Sequence, residues 1–306
     1  FWLAPLLVFV PSFVLWMIIP FGENLTIFGI HIEELAIRNL ELGIFFFIAF
    51  SVLTIVGLVL AGWSSASKYA VLGGFRSAAQ LVSYEIPLIM AILAVVMMAG
   101  SMNLITVVNS QTVVPYAALQ PLGLTIFLLA GVAEVGRTPF DIYFAESEVV
   151  GGPFVEYSGA HWSVFFLAEY INTFVIGAMA VLLFFGGWSW PFSGIPTLAG
   201  VSLFLVKTYL VVSVIFWIRG TYPRLRIDHL MGLGWKILVP LSFANVVVTG
   251  MQLFYGWPNW SLTLMSLGIL ALPLYFQIRY QRRPAMERAR IYAQRAIASR
   301  ARTKLG

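Results

Sequence analysis

The chain has 306 residues, of which 60% are hydrophobic and only 10% charged, with a mean hydropathy of +0.91. Soluble globular domains carry about 25% charged residues, so this composition excludes a soluble enzyme, a disordered chain and a nucleic-acid-binding domain. It leaves a polytopic membrane protein. The formal net charge is +5, and there is no cysteine, which excludes a disulfide, Fe–S ligation, a thiolate metal site and a cysteine nucleophile.

A membrane helix needs about 20 mostly apolar residues. The hydropathy pattern predicts an all-α, polytopic transmembrane helix bundle over residues 1–279. Its spans are 1–20, 42–62, 79–100, 121–136, 162–186, 198–218, 235–256 and 260–279, about eight in all, followed by a basic tail over 280–306. The first span opens at Phe1 with no charged segment before it and no small-residue cleavage site after it. It therefore does not read as a signal peptide. The fourth span is short and runs into a polar segment.

The loops alternate sides, and their charges orient the chain. Loops 63–78, 137–161 and 219–234, with the tail from Arg279, hold 15 of the 18 basic residues. The opposite loops hold only Arg38, while Lys207 and Lys236 lie within spans. This bias makes the basic side cytoplasmic and puts both visible ends there. The tail reads first as an orientation signal that touches anionic lipid headgroups, and second as a docking helix. No aromatic platform accompanies its charge, so no nucleic-acid partner is expected. Trp188, Trp190, Trp257 and Trp260 cluster at outer span ends as an interfacial belt.

In such a chain the informative residues are the costly ones. An ionisable side chain near the bilayer centre costs about 2.5–3.5 kcal/mol on insertion scales, so it faces protein or a wet cavity. Glu85, Glu134 and Glu169 lie at similar depth toward the basic side, and Lys207 lies near the middle of the sixth span. Each could be a satisfied structural group, with Lys207 as an intramembrane partner. Three carboxylates at one depth fit better with groups that hold or pass protons near neutral pH. Pro87, just past Glu85, removes a backbone donor, which either frees carbonyls for water or simply kinks the helix.

A second polar concentration follows the fourth span. It runs Glu134, Arg137, Phe140, Asp141, Glu146, Glu148 and Glu156, interleaved with apolar side chains. That mixture is too apolar for a solvated loop and predicts packing against the bundle or beneath a partner. A third runs from Arg219 through Arg224, Arg226 and Asp228 to His229. The three histidines lie far apart and on both sides, and Gly73-Gly74 lacks the Lys-Ser/Thr of a P-loop. The chain alone shows no site for NADH, flavin or a metal.

Three sequence blocks carry a resemblance. The first is Gly62-Trp63-Ser64-Ser65, Ser67-Lys68-Tyr69, Leu72-Gly73-Gly74-Phe75-Arg76, Ala79-Gln80 and Ser83-Tyr84-Glu85-Ile86-Pro87. The second is Ala133-Glu134, Arg137, Pro139-Phe140-Asp141, Glu146-Ser147-Glu148 and Glu156-Tyr157-Ser158-Gly159. The third is Arg219-Gly220-Thr221, Pro223-Arg224-Leu225-Arg226, Asp228 and Leu230-Met231-Gly232-Leu233-Gly234-Trp235-Lys236. In this order they resemble the H-type membrane subunits of NADH-quinone oxidoreductase, the complex I subunit 1 family, over roughly 1–256. The first span resembles the family's second helix, so the family's first helix and its polar loop are expected before Phe1. The last span resembles a helix found in only some members.

The resemblance implies a place where the membrane arm meets the quinone-reducing peripheral arm. It implies quinone as substrate and no cofactor held by this chain, with FMN, Fe–S clusters and the NADH site on partner subunits. The implied partners are a 49-kDa-type subunit, an Fe–S quinone-module subunit, small membrane subunits and antiporter-like subunits. The implied location is a bacterial inner (plasma) membrane, or an organellar inner membrane. Glu85, Glu134, Glu146, Glu148, Glu156 and Glu169 would form the proton-coupling file and its mouth. Arg137, Phe140 and Asp141 would shape the loop beside the quinone chamber, and Arg224, Arg226 and Asp228 the peripheral-arm interface. The family usually has Glu at Phe144, and often polar residues at Val135 and Gly136 and an Asn at Ala66. Two other readings stay open on the sequence. One is the equivalent subunit of a ferredoxin- or F420-linked quinone reductase or of an energy-converting hydrogenase. The other is a free-standing cation/proton antiporter.

Overall fold

In a computed structural model of the chain, residues 1–27, 30–142, 150–191 and 197–272 are described. The architecture among them is a helix bundle with one short antiparallel ribbon. In chain order the elements are α1 (Leu3–Leu15), β1 (Glu23–Ile27), β2 (Ile30–Glu34), α2 (Gly43–Ser64), α3 (Lys68–Ala99), α4 (Leu104–Asn109), α5 (Tyr116–Leu119) and α6 (Pro121–Val135). There follow a 3-10 turn (Gly152–Phe154), α7 (Ala160–Phe184), α8 (Thr197–Thr221), α9 (Ile227–Leu233), a π-turn (Gly234–Leu238), α10 (Val239–Tyr255) and α11 (Asn259–Leu272). Among the described residues, five stretches are long and apolar enough to cross a membrane: α2, α3, α7, Ala199–Thr221 of α8, and Ile227–Tyr255. Three shorter apolar helices are α1, α6 and α11. The chain divides into units 1–266 and 267–306, and of the second only the end of α11 is described.

Two features depart from the hydropathy pattern. The apolar run of the third span begins at residue 79, yet α3 begins at Lys68. Its 32 residues reach about 48 Å at 1.5 Å per residue, well beyond a hydrocarbon core of about 30 Å. The stretch 68–78 is polar enough to break the apolar run but contains no helix breaker except Gly73-Gly74, and those glycines are held by packing. The second departure is the ribbon, in a segment expected only as a loop, where Glu23 pairs with Glu34 and Leu25 with Ile32.

Those glycines serve close approach rather than ligand binding. A Cβ on Gly73 would lie 2.5 Å from Gly152 Cα, and one on Gly62 would lie 2.6 Å from the Ala70 carbonyl oxygen. They let α2, α3 and the 3-10 turn approach backbone to backbone. At the bend before α3, Ala66 takes φ +50°, a left-handed conformation that asparagine tolerates better than alanine.

The bundle packs α1 on α2 and α7, α2 on α3, and α3 on α6 and α10. Tyr84, Phe127, Phe165 and Phe184 are among its fully buried side chains. Outward faces carry Phe45, Trp63, Phe75, Tyr209 and Phe254. A surface this apolar suits lipid rather than water.

Candidate functional site

The costly carboxylates meet inside one apolar bundle. Glu134 occupies the last turn of α6, and its Oε2 is shut off from solvent with no hydrogen-bond partner. Glu85 projects from α3 toward α2, where Ser51 Oγ lies 3.5 Å from Glu85 Oε1. Glu85 and Glu134 are within electrostatic range of one another. Glu169 lies on α7 and is buried.

Two small cavities border Glu134; one of them reaches Glu169, and the other reaches Ser51, the hydroxyl beside Glu85. One, of about 10 Å³, is lined by Ser51, Thr54, Glu134 and Asn172 among apolar neighbours. The other, of about 30 Å³, is lined by Thr54, Glu134, Glu169 and Asn172, closed by Phe154 and Phe165. The polar groups thus form a line through α3, α2, α6 and α7, with Glu134 between Glu85 and Glu169.

Arg137 closes that line. Gly136 ends α6 in the left-handed region at φ +69°. This places Arg137 just beyond the helix C-terminus, where the backbone dipole favours a cation. Its Nη2 lies 3.3 Å from Glu169 Oε2, with only 7% and 11% of the two side chains exposed. The guanidinium stacks over Tyr170 at 4.6 Å and Phe166 at 5.4 Å from the ring centroids. Tyr170 and Phe166 flank Glu169 on α7, so one helix face presents both the counter-charge and its aromatic walls.

The three sequence blocks converge here. Gln80 Nε2 donates to the Ala133 carbonyl at 2.7 Å and pins α3 to α6 beside Glu134. Tyr84 Oη donates to the Leu230 carbonyl at 2.9 Å, and the Trp235 indole donates to Ser83 Oγ at 3.0 Å. Tyr84 also packs against Phe140, with ring centroids 5.4 Å apart, and the Leu225 N–H donates to the Pro139 carbonyl at 3.0 Å. The π-turn sits where α9 passes into α10, and such turns are frequent at functional sites.

The remaining candidates are placed as follows. Phe140 is buried on Tyr84, and Asp141 is half-buried with Oδ1 out of solvent contact. Arg224 and Arg226 are exposed on the segment between α8 and α9, Asp228 is exposed in the first turn of α9, and Arg226 Nε lies 3.6 Å from Asp228 Oδ2. Glu156 is exposed beside buried Tyr157. Burial pushes the Tyr157 phenol above its ordinary value, opposed by its hydrogen bond with Ser64 at 3.0 Å. Lys207 lies apart from the carboxylates. Its ammonium donates to the carbonyls of Phe185 at 2.9 Å, Gly187 at 2.8 Å and Trp190, and so caps the C-terminal end of α7. Glu146, Glu148, Phe144 and the tail 280–306 lie outside the described residues.

Reading the sequence for ionisable groups passes over Ser51, Thr54, Gln80 and Asn172. Their signal was spacing: Ser51 and Thr54 are three apart on α2, and Glu169 and Asn172 three apart on α7, so each pair shares a helix face.

A family model described as NADH dehydrogenase matches residues 1–250. The chain belongs to that family. A relative from Geobacillus kaustophilus, named as the H subunit of NADH-quinone oxidoreductase, is 47% identical over 247 residues, covering 81% of this chain and 71% of the relative. One of the same name from Dehalococcoides mccartyi is 44% identical over 253 residues, covering 83% and 67%. A third, from Syntrophobacter fumaroxidans and numbered as a second H subunit, is 42% identical over 260 residues, covering 85% and 75%. The matched region contains every described carboxylate of the buried line.

Proposed function

We propose that this chain stands at the quinone-reducing junction of its complex and couples quinone reduction by NADH-derived electrons to proton translocation. As a member of its family, it is a membrane subunit of NADH-quinone oxidoreductase and works with the other subunits of that complex. The single observation that carries the coupling role is the buried line from Glu85 through Glu134 to Glu169 in an otherwise apolar bundle. Carboxylates placed at such cost have a use.

The mechanism follows from what these residues can do. The electrons for quinone would be supplied by Fe–S clusters held on partner subunits, where FMN and the NADH site would also lie. Negative charge on the quinone, or its uptake of protons, changes the potential at the nearby loop 137–161. Arg137 transmits that change because it is ion-paired with Glu169 at one end of the line. Glu134 then takes up or releases a proton through the cavities it shares with its neighbours. Antiporter-like subunits receive the perturbation. Moving one charge against 100 mV takes about 2.3 kcal/mol, so the line depends on the redox energy of the whole complex.

In this reading Arg224, Arg226 and Asp228 meet a 49-kDa-type or Fe–S quinone-module subunit. The basic side faces the cytoplasm of a bacterium, and the tail touches anionic lipid of the inner (plasma) membrane. The test is Glu134→Gln in the assembled complex in membrane vesicles. The expected result is normal assembly with loss of most proton-gradient formation and of coupled quinone reduction. Unchanged pumping and reductase activity would remove Glu134 from the path.

A further inference from the structure

Asn172 carries no charge, and it lines both cavities beside Glu134. Its Oδ1 is shut off from solvent and has no hydrogen-bond partner, as is Glu134 Oε2 in the same two cavities. The hydroxyls beside them have their protons engaged. Thr54 Oγ1 donates to the Ser51 carbonyl at 2.7 Å, and Ser51 Oγ donates to the Ile48 carbonyl at 2.9 Å, with Glu85 Oε1 at 3.5 Å. Two oxygens beside Glu134 are therefore left without a donor, Glu134 Oε2 and Asn172 Oδ1, and a guest that can donate to them fits. Water does so, and about 10–15 Å³ of such space holds one molecule. The cavities, of about 10 and 30 Å³, have room for one to three.

We propose that Asn172 is a positioning residue: its carbonyl oxygen holds a water against Glu134, and that water links Glu134 to the Glu85 side and the Glu169 side of the line. The step balances simply. A proton leaving Glu134 breaks its bond to the carboxyl oxygen and forms a bond to the water oxygen. The water gives up one of its other protons to the next acceptor, so one proton moves and no atom is gained or lost. Asn172 itself neither takes nor gives a proton. It fixes the water in line, and an oxygen without that anchor must search for the geometry. The inference rests on the proposed role of the carboxylate line.

The experiment compares Asn172→Leu, Asn172→Asp and Glu134→Gln, each in the fully assembled complex in membrane vesicles. The readouts are quinone-coupled proton pumping, its solvent deuterium isotope effect and complex assembly. Asn172→Leu fills the cavity without an acceptor and should lower pumping about tenfold or more, the order of loss that accompanies misplaced reacting groups. Its isotope effect should rise while assembly stays normal. Asn172→Asp keeps an oxygen in place and should restore most of the rate. Full activity in Asn172→Leu with loss in Glu134→Gln would overturn the anchored water and leave the carboxylate line standing. Full activity in Glu134→Gln would overturn the line itself. Equal failure of both Asn172 variants with an unchanged isotope effect would mean that Asn172 only shapes the helix contact, and would overturn the proposal.

Discussion

Arg137 and Glu169 are the clearest place to put a magnitude on this bundle. At 3.3 Å, with both side chains about nine-tenths buried, two unit charges attract by about 5 kcal/mol at an effective dielectric constant of 20. Desolvation takes back much of that, so the pair need not stabilise the fold relative to two apolar groups. Removing one partner is another matter. Arg137→Met leaves Glu169 buried beside Tyr170 and Phe166 without its counter-charge, and Glu169→Met strands the guanidinium. Each should destabilise the bundle by roughly 3–5 kcal/mol. The double variant removes both charges and fills the space with apolar side chains. It should recover most of the loss, giving a coupling energy of about 3 kcal/mol or more. The assay is the temperature at which the assembled complex in membranes loses half of its intact population, measured for all four proteins. The double variant should recover assembly but not pumping, because the connection to the loop is gone. A double variant whose loss equals the sum of the two single losses would refute the pairing. A double variant that pumps normally would refute the transmission through Arg137.

Two further outcomes follow from local geometry. Ala66 is exposed and holds φ +50°, so Ala66→Asn or Ala66→Gly should raise thermal stability by roughly 0.5–1 kcal/mol without changing quinone reductase activity; a destabilised Ala66→Gly variant would contradict the strain argument. Lys207 caps three carbonyls near the end of α7, so Lys207→Met should cost roughly 2 kcal/mol by leaving them unpaired. Its pumping per quinone reduced should be kept, and a selective loss of pumping at normal stability would put Lys207 on a proton path instead.

The placement of Lys207 shows what hydropathy can and cannot read. A lysine in the middle of an apolar span is conspicuous in one dimension, and its cost demands a partner. Which partner is a matter of packing, because α8 lies beside α7 and delivers the ammonium to the backbone past Phe184 rather than to a carboxylate. Gly73-Gly74 is similar. The pair failed as a phosphate loop on sequence grounds alone, but its close contact with Gly152 and Gly62 depends on how α2, α3 and the 3-10 turn cross. The start of α3 at Lys68 also needed structure, since hydropathy records where apolar residues begin, not where the helix does.

The sequence by itself determined the membrane class, the apolar runs, the likeness to a family and the carboxylates in costly positions. Those are properties of composition and spacing, and lipid as a solvent leaves few structures that satisfy them. Only the tertiary structure decided that Glu134 lies between Glu85 and Glu169, that Arg137 turns inward to close the line, and that Asn172, Thr54 and Ser51 share its cavities. These residues come from α2, α3, α6 and α7. Helix spacing says which residues share a face, but only the packing of one helix on another says which faces meet.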